Sequence, residues 1–304
     1  MHITSSEYKQ KIISTAIVTI GAFLGFQALS YVLGLYQISS YVWMSIYIYA
    51  FHVFWLTFLF DLHFKKKPLL AEIHLSRTWA HMLWGGIKDR VSHMLNWHYF
   101  RHYQNFLILP GIIYWSVVVL LFLNPFANEL KQLIIASSTL ALGVVYWHFK
   151  EVFSKNLEAH EWSLHILALA KLFAAFLIYS AVFGVTRYYG FGLEFLGLAV
   201  FAMTFLLVYQ ALFQHKLLSF NVFFFILLIA SIVSIASVWV YFYWNTNYLT
   251  GGLVMLAVYN SLWGMLHHHL DNNLTCKLVV EYLLMLVFAL SILFTTHDFS
   301  SRIG

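Results

Sequence analysis

The chain has 304 residues, of which 62% are hydrophobic and 10% are charged. A soluble domain carries about 25% charged residues, so this composition excludes a water-soluble globular protein and predicts a polytopic integral membrane protein. The net charge of +5 does not indicate a nucleic-acid partner, because in a membrane protein the distribution of Lys and Arg matters more than their total. The single cysteine, Cys276, excludes an intrachain disulfide framework.

Nine apolar runs predict membrane-spanning helices. A span needs about 20 mainly apolar residues, and lipid excludes open sheet edges, so each run is expected to be helical. A Gly21–Gly25 step in the first span would permit close helix packing. We predict an all-α transmembrane bundle of about nine spans that forms one integral membrane domain over residues 1–304. The spans lie near residues 11–36, 41–60, 106–123, 133–148, 162–186, 193–213, 220–244, 251–266 and 278–294.

A polar segment at residues 61–104 separates the second span from the third. Within it His74, Arg77 and His81 follow i, i+3, i+7 spacing, and Trp and Tyr residues are interleaved with them. This pattern is typical of amphipathic helices that lie at a membrane interface. We therefore predict an interfacial helical segment here.

The basic residues predict the orientation of the chain. Thirteen Lys and Arg residues fall on the side that holds the N-terminus and the 61–104 segment, and three fall on the other side. The positive-inside rule assigns the first side to the cytoplasm. We expect a cytoplasmic N-terminus, an external C-terminus and, for the whole protein, a bacterial inner membrane.

Histidines mark the predicted cytoplasmic ends of several spans, whereas the external ends carry almost none. Neutral imidazole is the commonest metal ligand in proteins, and imidazoles with carboxylates favour iron. The pattern predicts a metal site that draws its ligands from several helices. The candidate ligands are His98, His102, His148, His165, His215, His267 and His268.

Three carboxylates lie on the same predicted face as these histidines. Glu151 follows His148 by three residues, and Glu158 and Glu161 precede His165 at i, i+3, i+7 spacing. We predict that these carboxylates bridge or tune the metal, so they are the candidate catalytic residues.

The run His267-His268-His269 ends the eighth predicted span. Adjacent residues on a helix point about 100° apart, so at most two of the three can face one centre. We predict that His267 and His268 do so, and that His269 turns toward solvent or the interfacial segment.

Two of these clusters resemble motifs of the membrane-bound histidine-box non-haem iron oxygenases, the desaturase and hydroxylase class. The stretch His98-Tyr99-Phe100-Arg101-His102 has the HxxxH form, and His267–His269 looks like a last box. The resemblance implies that iron at the cytoplasmic face activates dioxygen. The chain has no HxxHH box, so the number of iron ions, one or two, stays open.

The favoured hypothesis is a membrane metalloenzyme that desaturates, hydroxylates or cleaves a lipid or isoprenoid substrate, supported by an electron-donor protein. Three alternatives stay open. The first is an electron-transfer protein in which two histidines ligate haem axially. The second is a proton-coupled transporter, and the third is a membrane scaffold without chemistry.

Overall fold

The computed structural model describes residues 5–35, 38–52, 84–85, 88, 97–123, 128–152, 157–215, 217–244 and 247–295. Within these ranges the chain is helical and contains no strand. The helices of the described ranges are, in chain order, α1 (Ser5–Leu35), α2 (Ile38–Tyr49), α3 (Trp97–Leu123), α4 (Asn128–Val152), α5 (Leu157–Tyr189), α6 (Leu193–Gln214), α7 (Phe220–Tyr243), α8 (Tyr248–Leu270) and α9 (Cys276–Thr295).

Six of these helices are long and apolar enough to cross a membrane, which indicates a multi-pass membrane protein. They are α1, α4, α5, α6, α7 and α8. The prediction of an all-helical membrane protein is confirmed at this level, and the count of nine spans stays a prediction. Most of the predicted interfacial segment at 61–104 and both chain termini lie outside the described residues.

The first of two compact units covers Met1–Ala170. In it α1 packs along α4, and α3 packs against both of them. Gly25 of α1 lies so close to α2 that a Cβ atom there would stand 2.9 Å from Ile48 Cγ2. This is the close helix contact that the Gly21–Gly25 step predicts.

Tyrosine hydroxyls join α2 to α3 inside the first unit. The Tyr114 hydroxyl donates to the Ser45 carbonyl at 2.7 Å, and the Tyr41 hydroxyl donates to the Val118 carbonyl at 2.6 Å. Both tyrosines are buried. Each hydroxyl therefore satisfies its hydrogen-bonding requirement on the backbone of the neighbouring helix, where no water would replace that partner.

The second unit covers Lys171–Gly304 and contains the last part of α5 with α6 to α9. Here α6 packs along α7, α7 against α8, and α8 against α9. Gly252 brings α8 against α5, since a Cβ at this position would stand 2.9 Å from the backbone nitrogen of Ser180. The hydroxyls of Tyr179 and Thr204 are 2.9 Å apart and join α5 to α6.

The spacing of apolar residues in helix α7 determines which of its faces packs against the neighbouring helices. Its buried residues recur at i, i+4, i+7 spacing, whereas the large apolar side chains between them are exposed. That repeat places the buried residues along one stripe of a helix. Exposed apolar side chains on a candidate span are suited to lipid. The buried set is Val222, Ile226, Ile229, Ala230, Val233, Ser237 and Val240.

Candidate functional site

Two histidines stand at the adjacent ends of α6 and α8 in the second unit. His215 is the C-cap of α6, and its backbone N–H donates to the Ala211 carbonyl at 3.1 Å. His267 begins the last turn of α8. A histidine at a helix C-terminus interacts favourably with the negative end of the helix dipole, so both positions suit imidazole.

The two imidazoles are in direct contact. Their ring centroids are 4.7 Å apart, and the ring planes are inclined at 72°. Trp263 lies one turn before His267 on α8, with ring centroids 5.7 Å from His267 and 6.2 Å from His215. The indole therefore covers one side of the histidine pair and places an apolar wall beside it.

A carboxylate contacts one member of the pair. Nδ1 of His267 is 3.3 Å from Oδ2 of Asp271, and both side chains are partly exposed. The spacing i, i+4 brings the two side chains to the same face at the end of the helix. A histidine that binds a metal almost always directs its second ring nitrogen to such a carboxylate or to a carbonyl.

The local sequence explains why Asp271 occupies that position. Asn272 has a φ of 57°, the left-handed conformation that ends many helices and that Asn tolerates better than most residues. The backbone N–H of Asn273 donates to the His268 carbonyl at 2.9 Å, and that of Asn272 donates to the His269 carbonyl at 3.1 Å. These two bonds form a Schellman motif, which fixes Asp271 as the C-cap.

The remaining two histidines of the triple run face other helices. The His268 ring lies 5.9 Å from the Tyr282 ring of α9 and 6.1 Å from the His267 ring. His269 is exposed, and its ring lies 5.4 Å from that of Phe225 on α7. Of the predicted ligands His215 and His268, His215 is thus the closer to His267.

Two of the predicted site residues lie on the surface of the first unit. Glu161 and His165 are both exposed near the start of α5. His148 is half-buried at the end of α4, and its Nδ1 is 3.0 Å from the Ser163 hydroxyl oxygen. This hydrogen bond joins α4 to α5 within the first unit.

Four further predicted site residues lie outside the described side chains. His98 and His102 fall in α3, Glu151 falls in α4, and Glu158 falls in α5. The metal-ligand roles of these residues therefore stay predictions.

Among the side chains that the structure describes, no group of three or more His, Cys, Asp or Glu is arranged to hold a metal ion. The described part of the site is thus a pair of imidazoles, His215 and His267, with a carboxylate behind one of them. Sequence reasoning missed Asp271. The signal that could have found it is the i, i+4 spacing of His267 and Asp271 just before two asparagines.

Most of the chain matches a known protein family. Residues 75–296 match the family described as a protein of unknown function, DUF5656. No curated protein and no solved structure matches the chain. The family match covers more than two thirds of the chain and contains every candidate ligand from His98 to His268. The chain therefore belongs to the DUF5656 family.

Proposed function

We propose that the protein is a polytopic membrane enzyme that binds iron through histidines at its cytoplasmic face and oxidises a lipid-soluble substrate. The observation that carries this proposal is the contact between His215 and His267, with Asp271 behind His267. The pair lies at the ends of two candidate spans, Leu193–Gln214 and Tyr248–Leu270.

The spacing of the pair suits two ligands of one ion. With metal–nitrogen bonds of about 2 Å, two imidazoles at roughly 90–120° around an ion have ring centroids about 4.5–5.5 Å apart. The observed 4.7 Å falls in that range. Because Asp271 contacts Nδ1 of His267, Nε2 of that ring is the nitrogen that would bind the ion.

The same distance does not favour haem at this pair. Axial imidazoles on opposite sides of one iron have ring centroids roughly 6 Å apart when the metal–nitrogen bonds are about 2 Å. His215 and His267 are closer than that. We therefore place non-haem iron before haem for this pair.

The other histidines predicted from the sequence are further candidate ligands. We propose that His98, His102, His148, His165 and His268 also bind iron, for one or two ions in all. The carboxylates of Glu151, Glu158 and Glu161 would bridge or tune the ions. Iron held by imidazoles and carboxylates with open positions supplies the activation of dioxygen.

The residues of this chain have three tasks in such a reaction. His215 and His267 hold the ion, and Asp271 fixes the orientation of the His267 ring. Trp263 excludes water from one side of the pair. The apolar helices admit a lipid or isoprenoid from the bilayer, and an electron-donor protein would dock from the cytoplasm.

The proposed topology has nine spans, an interfacial segment at 61–104, a cytoplasmic N-terminus and an external C-terminus in a bacterial inner membrane. The positive-inside distribution of Lys and Arg supports the orientation. Helix α9 supports the higher count of spans, because it carries large exposed apolar side chains along its length. They include Val280, Leu283, Leu284, Met285, Val287, Phe288 and Ile292.

Elemental analysis of the purified protein tests the proposal. We expect iron to co-purify with the wild-type protein, and we expect His215→Ala and His267→Ala each to lower the iron content severalfold. His269→Ala is the matched control, since His269 is an exposed histidine of the same run and should leave the iron content unchanged.

Two results would overturn the proposal. One is a wild-type protein that contains no iron, zinc, copper or manganese above the background of the purification. The other is an iron content that falls equally in all three variants, since loss of folding alone would then explain it. An absorbance band of haem in the purified protein would show that the bound iron is haem iron and not non-haem iron.

A further inference from the structure

The last residue of α6 is a buried amide that has no hydrogen-bond partner in the described part of the chain. Gln214 is 2% exposed, and neither its Oε1 nor its Nε2 has a hydrogen-bond partner among the described residues. A buried amide normally satisfies both atoms, and leaving them unpaired forfeits the hydrogen bonds that water gave in the unfolded chain. An apolar residue of similar size would avoid this penalty.

The position of Gln214 connects it to the candidate site. It directly precedes His215, whose ring contacts His267. It also ends the candidate span Leu193–Gln214, so it lies where the apolar part of a helix gives way to the loop. A lipid-soluble molecule with one polar end would place that end at this level and its chain among the apolar helices.

The chemistry of the amide limits which polar groups can pair with both of its atoms. Its carbonyl accepts and its NH₂ donates, so an anion would leave Oε1 unpaired and a cation would leave Nε2 unpaired. A ketone or an ether can only accept, and it too leaves Oε1 unpaired. A hydroxyl can do both at the same time. It accepts from the Nε2–H that lies on the same side as Oε1, and it donates its own hydrogen to Oε1.

We propose that Gln214 binds the hydroxyl group of a long-chain alcohol beside the His215–His267 pair. The inference deepens the proposed function by naming a substrate class for the same site, and it rests on that proposal for its catalytic meaning. Its physical basis, a buried unpaired amide at the end of a candidate span, is independent of the metal.

Photolabelling of the full-length protein in lipid nanodiscs tests the inference. The probes are cetyl alcohol with a diazirine in its chain and the methyl ether of the same molecule. We expect the alcohol to label the peptides around the end of α6, and unlabelled cetyl alcohol to compete. The ether should label these peptides at least about fivefold less, because it can accept from Nε2 of Gln214 but cannot donate a hydrogen bond to Oε1.

Two variants sharpen the test. Gln214→Leu keeps the approximate size of the side chain and should lower the competed labelling by at least about fivefold. Gln132→Leu is the matched control. Gln132 lies in the first unit, where its amide is hydrogen-bonded to Gln27, and its replacement should leave the labelling unchanged.

The inference is overturned if the ether labels as strongly as the alcohol, or if Gln214→Leu labels like the wild type. The comparison of alcohol with ether uses the wild-type protein, so it decides the question even if Gln214→Leu does not fold. Iron measured in the same preparation separates the two proposals. Competed labelling of iron-free protein supports the alcohol subsite and overturns the metalloenzyme. Iron without competed labelling supports the metalloenzyme and overturns the alcohol subsite.

Discussion

Replacing Gly252 with alanine should weaken the contact between α8 and α5 in the second unit. A Cβ atom at this position would stand 2.9 Å from the Ser180 backbone nitrogen and 3.0 Å from the Ser180 Cα. Carbon atoms prefer separations of about 3.5–4.0 Å. The obstacle is the backbone of α5, which cannot rotate away as a flexible side chain can.

The expected magnitude follows from two opposing effects. Forcing one methyl group into a packed interface costs about 1–3 kcal/mol. Alanine recovers about 1 kcal/mol through its higher helix propensity. We expect the difference, a net loss of unfolding free energy, to be on the order of 1 kcal/mol. The steric cost arises because the two helices must separate by about 0.5–1 Å to restore normal contacts.

Unfolding of the purified protein by sodium dodecyl sulfate in mixed micelles measures this change. Gly197→Ala is the matched control, since a Cβ there would stand 3.3 Å from the hydroxyl oxygen of Ser234 and meet no backbone atom. The control should change the unfolding free energy by less than about 1 kcal/mol. The reasoning is refuted if Gly252→Ala is as stable as the wild type, or if both variants lose the same amount.

Two further changes test hydrogen bonds between helices. Tyr179→Phe and Thr204→Val should each lower the unfolding free energy by about 1 kcal/mol, because their hydroxyls are paired at 2.9 Å. The double variant should lose little more than either single one, and full additivity would disprove the pairing. Tyr114→Phe removes the donor to the Ser45 carbonyl and should cost about 1 kcal/mol in the same assay. An unchanged unfolding midpoint would show that this hydroxyl does not join α2 to α3.

The helical architecture was predictable because membrane helices follow from composition and length. The stripe of α7 that begins with Val222 and Ile226 repeats at helical spacing, and a single long apolar run can satisfy its own backbone in lipid only as a helix. The contact of Gly25 with α2 was predictable for the same reason, since glycine removes the side chain that would keep two helices apart.

The site was less predictable because it depends on how helix ends meet. Sequence spacing placed His215 and His267 on the same predicted face, but it could not show that their rings are in contact. The sequence also could not show that His215, on a different helix, lies closer to His267 than the neighbouring His268 does. The angle between neighbours on a helix limits which residues converge, and only the approach of the ends of α6 and α8 decides which of them do.

Asp271→Asn separates a metal site from a surface ion pair. The carboxylate is 3.3 Å from Nδ1 of His267, and both side chains are partly exposed. An exposed pair of this kind contributes about 0–1 kcal/mol to stability, and a negative charge at a helix C-terminus is slightly unfavourable. The unfolding free energy of Asp271→Asn should therefore stay within about 1 kcal/mol of that of the wild type.

Metal affinity should respond far more strongly than stability. Loss of the carboxylate behind a metal-bound histidine typically weakens metal binding by about 10–100-fold. We expect Asp271→Asn to lose iron at chelator concentrations that the wild-type protein and His269→Ala withstand, with all three proteins folded. Equal retention of iron by all three would mean that Asp271 supports no metal ligand, and that its contact with His267 is only a polar contact at the surface.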